Sequence, residues 1–148
     1  MLRLSRKTDY AFLLVTALAR RWREMPRAFS SVRELVREYR LPYRFTASIL
    51  STLTHAHILE SREGTRGGFR LAREPQVISL TDVLRATEGS SPLVACLDAR
   101  TNFACVQKSV CPARHGMPAI QRLLHDTLAR YTVADLVTAS LPPRPHVT

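Results

Sequence analysis

The sequence predicts a mainly α-helical fold with one small β-hairpin, and three observations lead to this fold class. Apolar residues recur at three- and four-residue spacing in six segments, which is typical of amphipathic helices. Two short strand-like runs, ILES and FRLA, flank the Gly-rich turn REGTRGG, which indicates a hairpin. With 148 residues, 45% of them hydrophobic, the chain can bury a core of its own.

The first three helices follow closely along the chain. The first is predicted over about 6–23 and ends at the break MPRAFS. Ser31 and Glu34 form a capping-box pattern that opens a second helix ending near Tyr39. The turn RLP leads into a third helix over about 43–56. The side chains of the third helix predicted to face inward are Phe45, Ile49 and Leu53.

Two helices, a tight turn, a third helix and a basic β-hairpin together predict a winged helix-turn-helix. In this architecture the third helix fits the major groove of DNA and the hairpin, or wing, reaches the backbone or the minor groove. We therefore assign residues 1–75 to a winged helix-turn-helix DNA-binding domain. The charge agrees, because residues 1–75 carry 15 Lys and Arg against 7 Asp and Glu, whereas residues 76–148 carry 7 against 5.

The second half of the chain predicts three more helices. SLTDVLRATEG forms the fourth, and the fifth, over about 116–131, has a leucine-rich face too apolar to stay exposed. We expect that face to pair two copies of the chain as a homodimer. Thr132 caps a last short helix, and residues 139–148 are a predicted flexible tail.

The start of the third helix carries the residues predicted to read DNA. Arg44 could bind a guanine edge through two hydrogen bonds, and the other residues predicted at this surface are Tyr43, Thr46 and Ser48. In the wing, Arg62 and Arg66 flank Gly64, and the sequence leaves open which of the two contacts DNA. Arg6 and Lys7 are predicted phosphate contacts.

All three cysteines lie between residues 96 and 111, with the spacing Cys96-x8-Cys105-x5-Cys111-x3-His115. The chain shows neither a convincing signal peptide nor a membrane-length apolar run, so we expect a cytoplasmic protein with reduced thiols. Clustered thiols on an irregular segment suit an iron–sulfur cluster. Structural zinc is the alternative, although zinc sites usually include a closely spaced cysteine pair.

MLRLSRKTDYA, EGTRGGFRLA, SLTDVLRATEG, the three cysteines and RYTVADLV, in this order, resemble the winged-helix iron–sulfur-cluster transcriptional regulators, the IscR/NsrR-like family. Within that family the chain looks closest to the branch that regulates SUF-type iron–sulfur assembly. The resemblance spans about residues 1–138. The two-fold symmetry of the expected homodimer would match palindromic double-stranded DNA. Residues 76–138 would then hold the cluster-binding loop and the dimerisation helices.

The resemblance also implies the ligands of the cluster. Cys96, Cys105 and Cys111 match the family's cysteine ligands, and we expect a two-iron rather than a four-iron cluster. His115, near the position of a ligating histidine in IscR, is favoured as the fourth ligand. The alternative is Asp9, which lies at the position where NsrR supplies an aspartate from its partner subunit. The gap between Cys96 and Cys105 is longer than in IscR, and Ala47 replaces a DNA-reading glutamate, so the IscR operator is not carried over.

The function that follows is a repressor of iron–sulfur assembly genes that senses its own cluster. Two alternatives stay open. The same cysteines could sense nitric oxide or redox state and control stress genes, or zinc could stabilise a winged-helix adaptor. An enzyme is not expected, because the sequence shows no phosphate loop, no paired-acid pocket and no Cys/His dyad with an orienting partner.

Overall fold

The structure is a computed structural model that describes residues 4–89, 92, 94–98 and 104–139. It confirms the mainly helical fold with a single antiparallel hairpin in the described residues, and the predicted first, third and fifth helices match to within two residues at each end. The elements are α1 (Arg6–Glu24), α2 (Val32–Tyr39), α3 (Tyr43–His55), β1 (Leu59–Arg62), β2 (Gly68–Leu71), α4 (Leu80–Glu88), α5 (Met117–Ala129) and α6 (Val133–Thr138), with short 3-10 turns at Pro75–Val77 and Ala95–Leu97.

Capping residues set where three of these helices begin. Ser31, Ser79 and Thr132 each accept a hydrogen bond from the backbone N–H three residues on. In each case the acidic side chain at that third position reaches back to the N–H of the capping residue, which completes a capping box. Each box satisfies donors that would otherwise be unpaired at a helix start. The pattern was readable in the sequence because the spacing is local.

Helix α1 is the centre of the core and packs against α3, α4, α6 and β2. Buried side chains from both halves of the chain therefore form one continuous cluster. The predicted division after residue 75 stays a prediction about function, because this core crosses it. The largest fully buried side chains are Leu14, Val15, Leu35, Ile49, Leu50, Leu53, Ile58, Leu59, Leu71, Ile78, Val83 and Val133.

The wing is a two-stranded hairpin in which Leu59 pairs with Leu71 and Arg62 pairs with Gly68. A bridge between Ser30 and Phe69 adds the segment before α2 to its edge, with hydrogen bonds of 2.9 Å in both directions. Gly68 is required at this edge, because its φ is +140° and a Cβ there would lie 2.3 Å from the Ser30 carbonyl oxygen. The hairpin is thus held against the helical core along one side.

Helix α5 contrasts with the other long helices because it buries none of its side chains. It packs against α4, and Ile120 and Leu123 remain 48% and 66% exposed. Within the described residues, no helix is both long and apolar enough to cross a membrane. The predicted tail over 139–148 lies outside the described residues apart from Ala139.

Candidate nucleic-acid interface and metal centre

The start of α3 presents polar side chains away from the core. Tyr43, Arg44 and Ser48 are all exposed, and Tyr43 is 51% exposed despite its size. Among the described residues, no ion pair or hydrogen bond holds the Arg44 guanidinium. A guanidinium on the exposed face of α3, at its first turn, suits recognition of a guanine edge.

Thr46 is the exception, and the prediction that it faces DNA is wrong. Its side chain is fully buried, together with Ile49, Leu50 and Leu53, which follow at helical spacing. Its Oγ1 has no hydrogen-bond partner among the described residues. Thr46 therefore belongs to the inward face of α3.

Phe45 is the converse case, since it was predicted to lie in the core and is instead 36% exposed. At about 100° per residue, it lies about a quarter turn from Thr46, outside the buried stripe. Its ring packs edge-on against Tyr10 of α1, with 5.5 Å between the ring centroids. Ile49 and Leu53 are buried as predicted, so the i, i+4 spacing of apolar residues was wrong only at its first position.

The two wing arginines differ in their surroundings. The Arg62 guanidinium lies 4.3 Å from the centroid of the Phe29 ring and donates a hydrogen bond of 2.8 Å to the Arg66 carbonyl oxygen. The Arg66 side chain is exposed and, among the described residues, has no hydrogen bond or ion pair. The sequence could not show this difference, because Phe29 lies 33 residues before Arg62 in the chain.

The start of α1 is tied to the end of α4 by a polar network. The backbone N–H of Ser5 donates to a Glu88 carboxylate oxygen at 3.1 Å, and the Thr8 hydroxyl donates to the same oxygen. Thr8 is fully buried and also lies 2.8 Å from the Thr87 hydroxyl. The hydrogen bonds from Ser5 and Thr8 lower the pKa of Glu88 below its ordinary value of 4.5.

The two predicted phosphate contacts lie at the start of α1, between Ser5 and Thr8. Arg6 is exposed and Lys7 is half-buried.

The three cysteines line one cavity of about 390 Å³. All three are free thiols; Cys96 is exposed, whereas Cys105 and Cys111 are half-buried. The cavity has more than ten times the roughly 30 Å³ that a water molecule occupies in the liquid, which admits a multi-atom inorganic group. The other side chains that line it are Leu97, Ala104, Lys108, Ala113, Arg114, Met117 and Pro118.

The chemistry of this lining fits an iron–sulfur cluster. Thiolates are the ligands such clusters prefer, and apolar neighbours such as Leu97 and Met117 limit contact with water. Lys108 and Arg114 bring positive charge that offsets the charge of thiolate ligands. Among the described residues, however, no three His, Cys, Asp or Glu side chains already converge as a metal site. The three thiols line the cavity, and ligation would draw them closer to one another.

Neither of the two residues predicted as a fourth ligand lines this cavity. His115 is exposed in the turn just before α5, four residues after Cys111. Asp9 is exposed in the first turn of α1. Its carboxylate is favourably placed there by the helix dipole alone. The geometry of a single chain therefore leaves both as predictions.

Comparison with protein families identifies the chain. Residues 4–139 match the model of the Rrf2 family, described as iron-dependent transcriptional regulators. The chain belongs to the Rrf2 family. It is accordingly a DNA-binding transcriptional regulator rather than an enzyme, and the predicted resemblance to IscR/NsrR-like regulators is confirmed. The match is to the family as a whole and does not single out a branch that regulates SUF-type assembly.

Individual Rrf2 proteins are similar along most of the chain. The transcriptional regulator NsrR of Shouchella clausii is 31% identical over 136 residues, which cover 92% of this chain and 89% of that protein. The transcriptional repressor NsrR of Streptomyces coelicolor is 29% identical over 143 residues, covering 96% and 93%.

Solved structures share the fold at lower identity. The global cysteine regulator CymR of B. subtilis superimposes with a TM-score of 0.73 at 21% identity, covering 95% of this chain and all of that one. T. potens IscR gives a TM-score of 0.67 at 20% identity, covering 97% and 94%. These likenesses establish the winged-helix fold of this Rrf2 protein.

Proposed function

We propose that this Rrf2 protein is a cytoplasmic, homodimeric repressor that holds an iron–sulfur cluster on Cys96, Cys105 and Cys111 and controls genes of iron–sulfur assembly. The observation that carries the proposal is that all three thiols line the same cavity. Free thiols that line one cavity are a donor set suited to such a cluster. The description of the family as iron-dependent supports the same cofactor.

The fourth ligand in this proposal is His115, with Asp9 of a second copy as the alternative. His115 follows Cys111 by only four residues, so it can join the site without help from another subunit. Neither residue is a thiolate, and ligands of this kind bind iron less tightly, which suits a cluster that must be lost in order to signal. Substitution decides between them: His115→Ala is expected to labilise the cluster, and Asp9→Ala to leave it intact.

The DNA-binding surface in the proposal combines α3, the wing and the start of α1. Tyr43, Arg44 and Ser48 enter the major groove, and an arginine of the wing reaches the adjacent backbone or minor groove. Arg6 and Lys7 contact phosphates. Two-fold symmetry through α5 would present two such surfaces to a palindromic operator, with half-sites about one helical turn apart.

The cluster site is connected to this surface through α4. The cysteine segment follows α4 in the chain. Glu88 at the end of α4 accepts hydrogen bonds from Ser5 and Thr8 at the start of α1. A shift of α4 on gain or loss of the cluster would therefore move the end of α1 that carries Arg6 and Lys7. A coupling of about 1–3 kcal/mol between cluster and DNA corresponds to about 5- to 150-fold in affinity.

The test is DNA binding by anaerobically purified protein, with its cluster and after removal of the cluster by a chelator. Genomic fragments are selected on the protein and the protected region is then mapped by footprinting. We expect a palindromic footprint at iron–sulfur assembly genes and at least a fivefold difference in affinity between the two forms. Equal affinities would refute cluster sensing, and a footprint at unrelated genes would refute the proposed target.

A second candidate function is a regulator of stress genes that responds to nitric oxide or redox state. The exposure of Cys96 favours it, because small reactive molecules can reach one wall of the cavity directly. Under this second function, nitric oxide should release the protein from DNA, whereas iron starvation should leave it bound. Release only after iron starvation would retain the first proposal.

A further inference from the structure

We propose that Arg66 is the arginine through which the wing contacts DNA, and that Arg62 and Phe29 are positioning residues that hold the wing tip in place. This rests on the DNA-binding function of the chain and assigns different roles to two arginines that the sequence cannot distinguish. The argument uses the contacts of one face of the hairpin.

Three charged side chains share the face of the hairpin that meets Phe29. Residues two apart on one strand, and residues paired across strands, point to the same side, so Glu60, Arg62 and Arg70 are neighbours. The guanidinium carbons of Arg62 and Arg70 lie 4.3 and 4.7 Å from the Phe29 centroid. Arg70 also forms an ion pair with Glu60. One aromatic ring thus holds both strands through cation–π contacts.

The Phe29 ring is itself well anchored. The next residue, Ser30, is buried and is paired with Phe69 by two backbone hydrogen bonds. Its hydroxyl also accepts a hydrogen bond from Arg21 of α1. The ring therefore belongs to a segment fixed to the helical core, and it gives Arg62 a rigid surface to stack on.

Arg62 also donates one hydrogen bond that closes the wing tip. Its guanidinium donates to the Arg66 carbonyl oxygen at 2.8 Å, across the base of the turn. Within the turn, the Gly67 N–H donates to the Gly64 carbonyl oxygen at 2.9 Å. A Cβ on Gly67 would lie 2.1 Å from the Arg62 carbonyl oxygen, so the two sides of the tip are in close contact. The backbone that carries Arg66 is thereby fixed.

The result is a division of labour between two like charges. Arg62 is committed to Phe29 and to the backbone of the tip, whereas the Arg66 side chain extends into solvent from a backbone already held in place. Preorganisation of this kind reduces the entropy lost when a side chain binds. Lysine could not replace Arg62, because an ammonium group lacks the planar fork that stacks and donates at once.

The experiment measures binding of the cluster-loaded full chain to a fluorescein-labelled DNA duplex of random sequence by anisotropy, as a function of salt. Arg66→Ala should lower the slope of log affinity against log salt by about one and weaken binding about fivefold at physiological ionic strength. Arg66→Lys should keep the slope, because the phosphate contact needs only the charge. Arg73→Ala, which removes an equal charge facing Asp82, should leave the slope unchanged.

The positioning role gives a different signature. Arg62→Lys keeps the charge, yet should weaken binding towards the level of Arg66→Ala and add nothing in the Arg66→Ala background. Phe29→Leu should behave like Arg62→Lys, and Phe29→Tyr, which keeps the ring, like wild type. Wild-type binding by Arg62→Lys, or additive effects of Arg62→Ala and Arg66→Ala, would overturn the assignment. If the wild-type chain binds no DNA in a salt-dependent way, the DNA-binding function itself fails instead.

Discussion

Helices α3 and α5 are both 13 residues long, and they have opposite relations to the core. Helix α3 buries Thr46, Ile49, Leu50 and Leu53 and turns its polar face outward. Helix α5 buries no side chain, although its apolar face was evident in the sequence. The chain itself therefore buries one face of α3, the helix proposed to read DNA, whereas it leaves the apolar face of α5 largely uncovered. The cysteine cavity lies next to α5, since Met117 and Pro118 of that helix line it.

The largest effect is expected in the core that supports α3. Leu50→Ala should lower the free energy of unfolding by about 2–5 kcal/mol, because a fully buried leucine leaves a cavity when truncated. Val77→Ala is the control, since Val77 is 57% exposed and its loss should cost less than about 0.5 kcal/mol. Urea unfolding followed by circular dichroism measures both. Similar losses for the two variants would contradict the assigned core.

The next effect concerns the exposed apolar face of α5, which is proposed to form the dimer interface. Leu123→Ala should weaken dimerisation at least about tenfold, because an isologous interface loses the contact twice. Its helix content should not change, since the side chain supports no contact in the core of its own chain. Sedimentation at several protein concentrations measures the dissociation constant. Met25→Ala, which truncates another exposed apolar side chain, should sediment as the wild type does.

Two fully buried threonines should respond in opposite directions to the same substitution. Thr46→Val should stabilise the fold by about 1 kcal/mol, because it removes a hydroxyl that lacks a partner, and it should leave DNA affinity unchanged. Thr8→Val should destabilise by about 1–3 kcal/mol, because it removes the hydrogen bonds that join the buried Thr8 hydroxyl to the side chains of Glu88 and Thr87. Thermal and urea unfolding compare them. Loss of DNA binding in Thr46→Val would contradict this assignment and would mean that Thr46 contributes to the DNA-binding surface.

The smallest effect is a dependence on pH through Glu88. Because its folded pKa lies below 4.5, the carboxylate stabilises the fold above that pH and the contribution is lost as the pH falls through the folded value. Glu88→Gln should cost less than about 1 kcal/mol at neutral pH, since the site is partly exposed to solvent. The difference from wild type should disappear in acid. Unfolding at a series of pH values tests this, and a pH-independent difference would contradict it.

Local patterns made much of the fold predictable from the sequence. The starts of three helices were predicted from the capping residues Ser31, Ser79 and Thr132, each with an acidic residue three positions later. The Gly-rich turn REGTRGG predicted the wing. The apolar stripe of α3 was predicted less well, because Phe45 and Thr46 lie side by side and an i, i+4 pattern fits either neighbour. Packing against α1 decides between them: Thr46 is buried, and the partly exposed Phe45 ring contacts Tyr10.

The site was predictable only in part, because its key contacts join distant segments. The grouping of Cys96, Cys105 and Cys111 was visible from their spacing, and the fold brings them to one cavity. The contact of Phe29 with Arg62, and that of Thr8 with Glu88, depend on how helices and hairpin pack, which no short motif encodes. A basic residue in a Gly-rich turn therefore indicates an interface without showing which arginine serves it.

The central claim is that the cysteine cavity holds an iron–sulfur cluster, and anaerobic purification followed by iron, sulfide and zinc analysis tests it most directly. We predict a coloured protein with broad visible absorbance and with iron and acid-labile sulfide in equal amounts, both lost in Cys105→Ala. Cys105→Ala should keep the helix content of wild type, because Cys105 lies outside the core cluster. A colourless wild-type protein that carries zinc and no sulfide would contradict the claim.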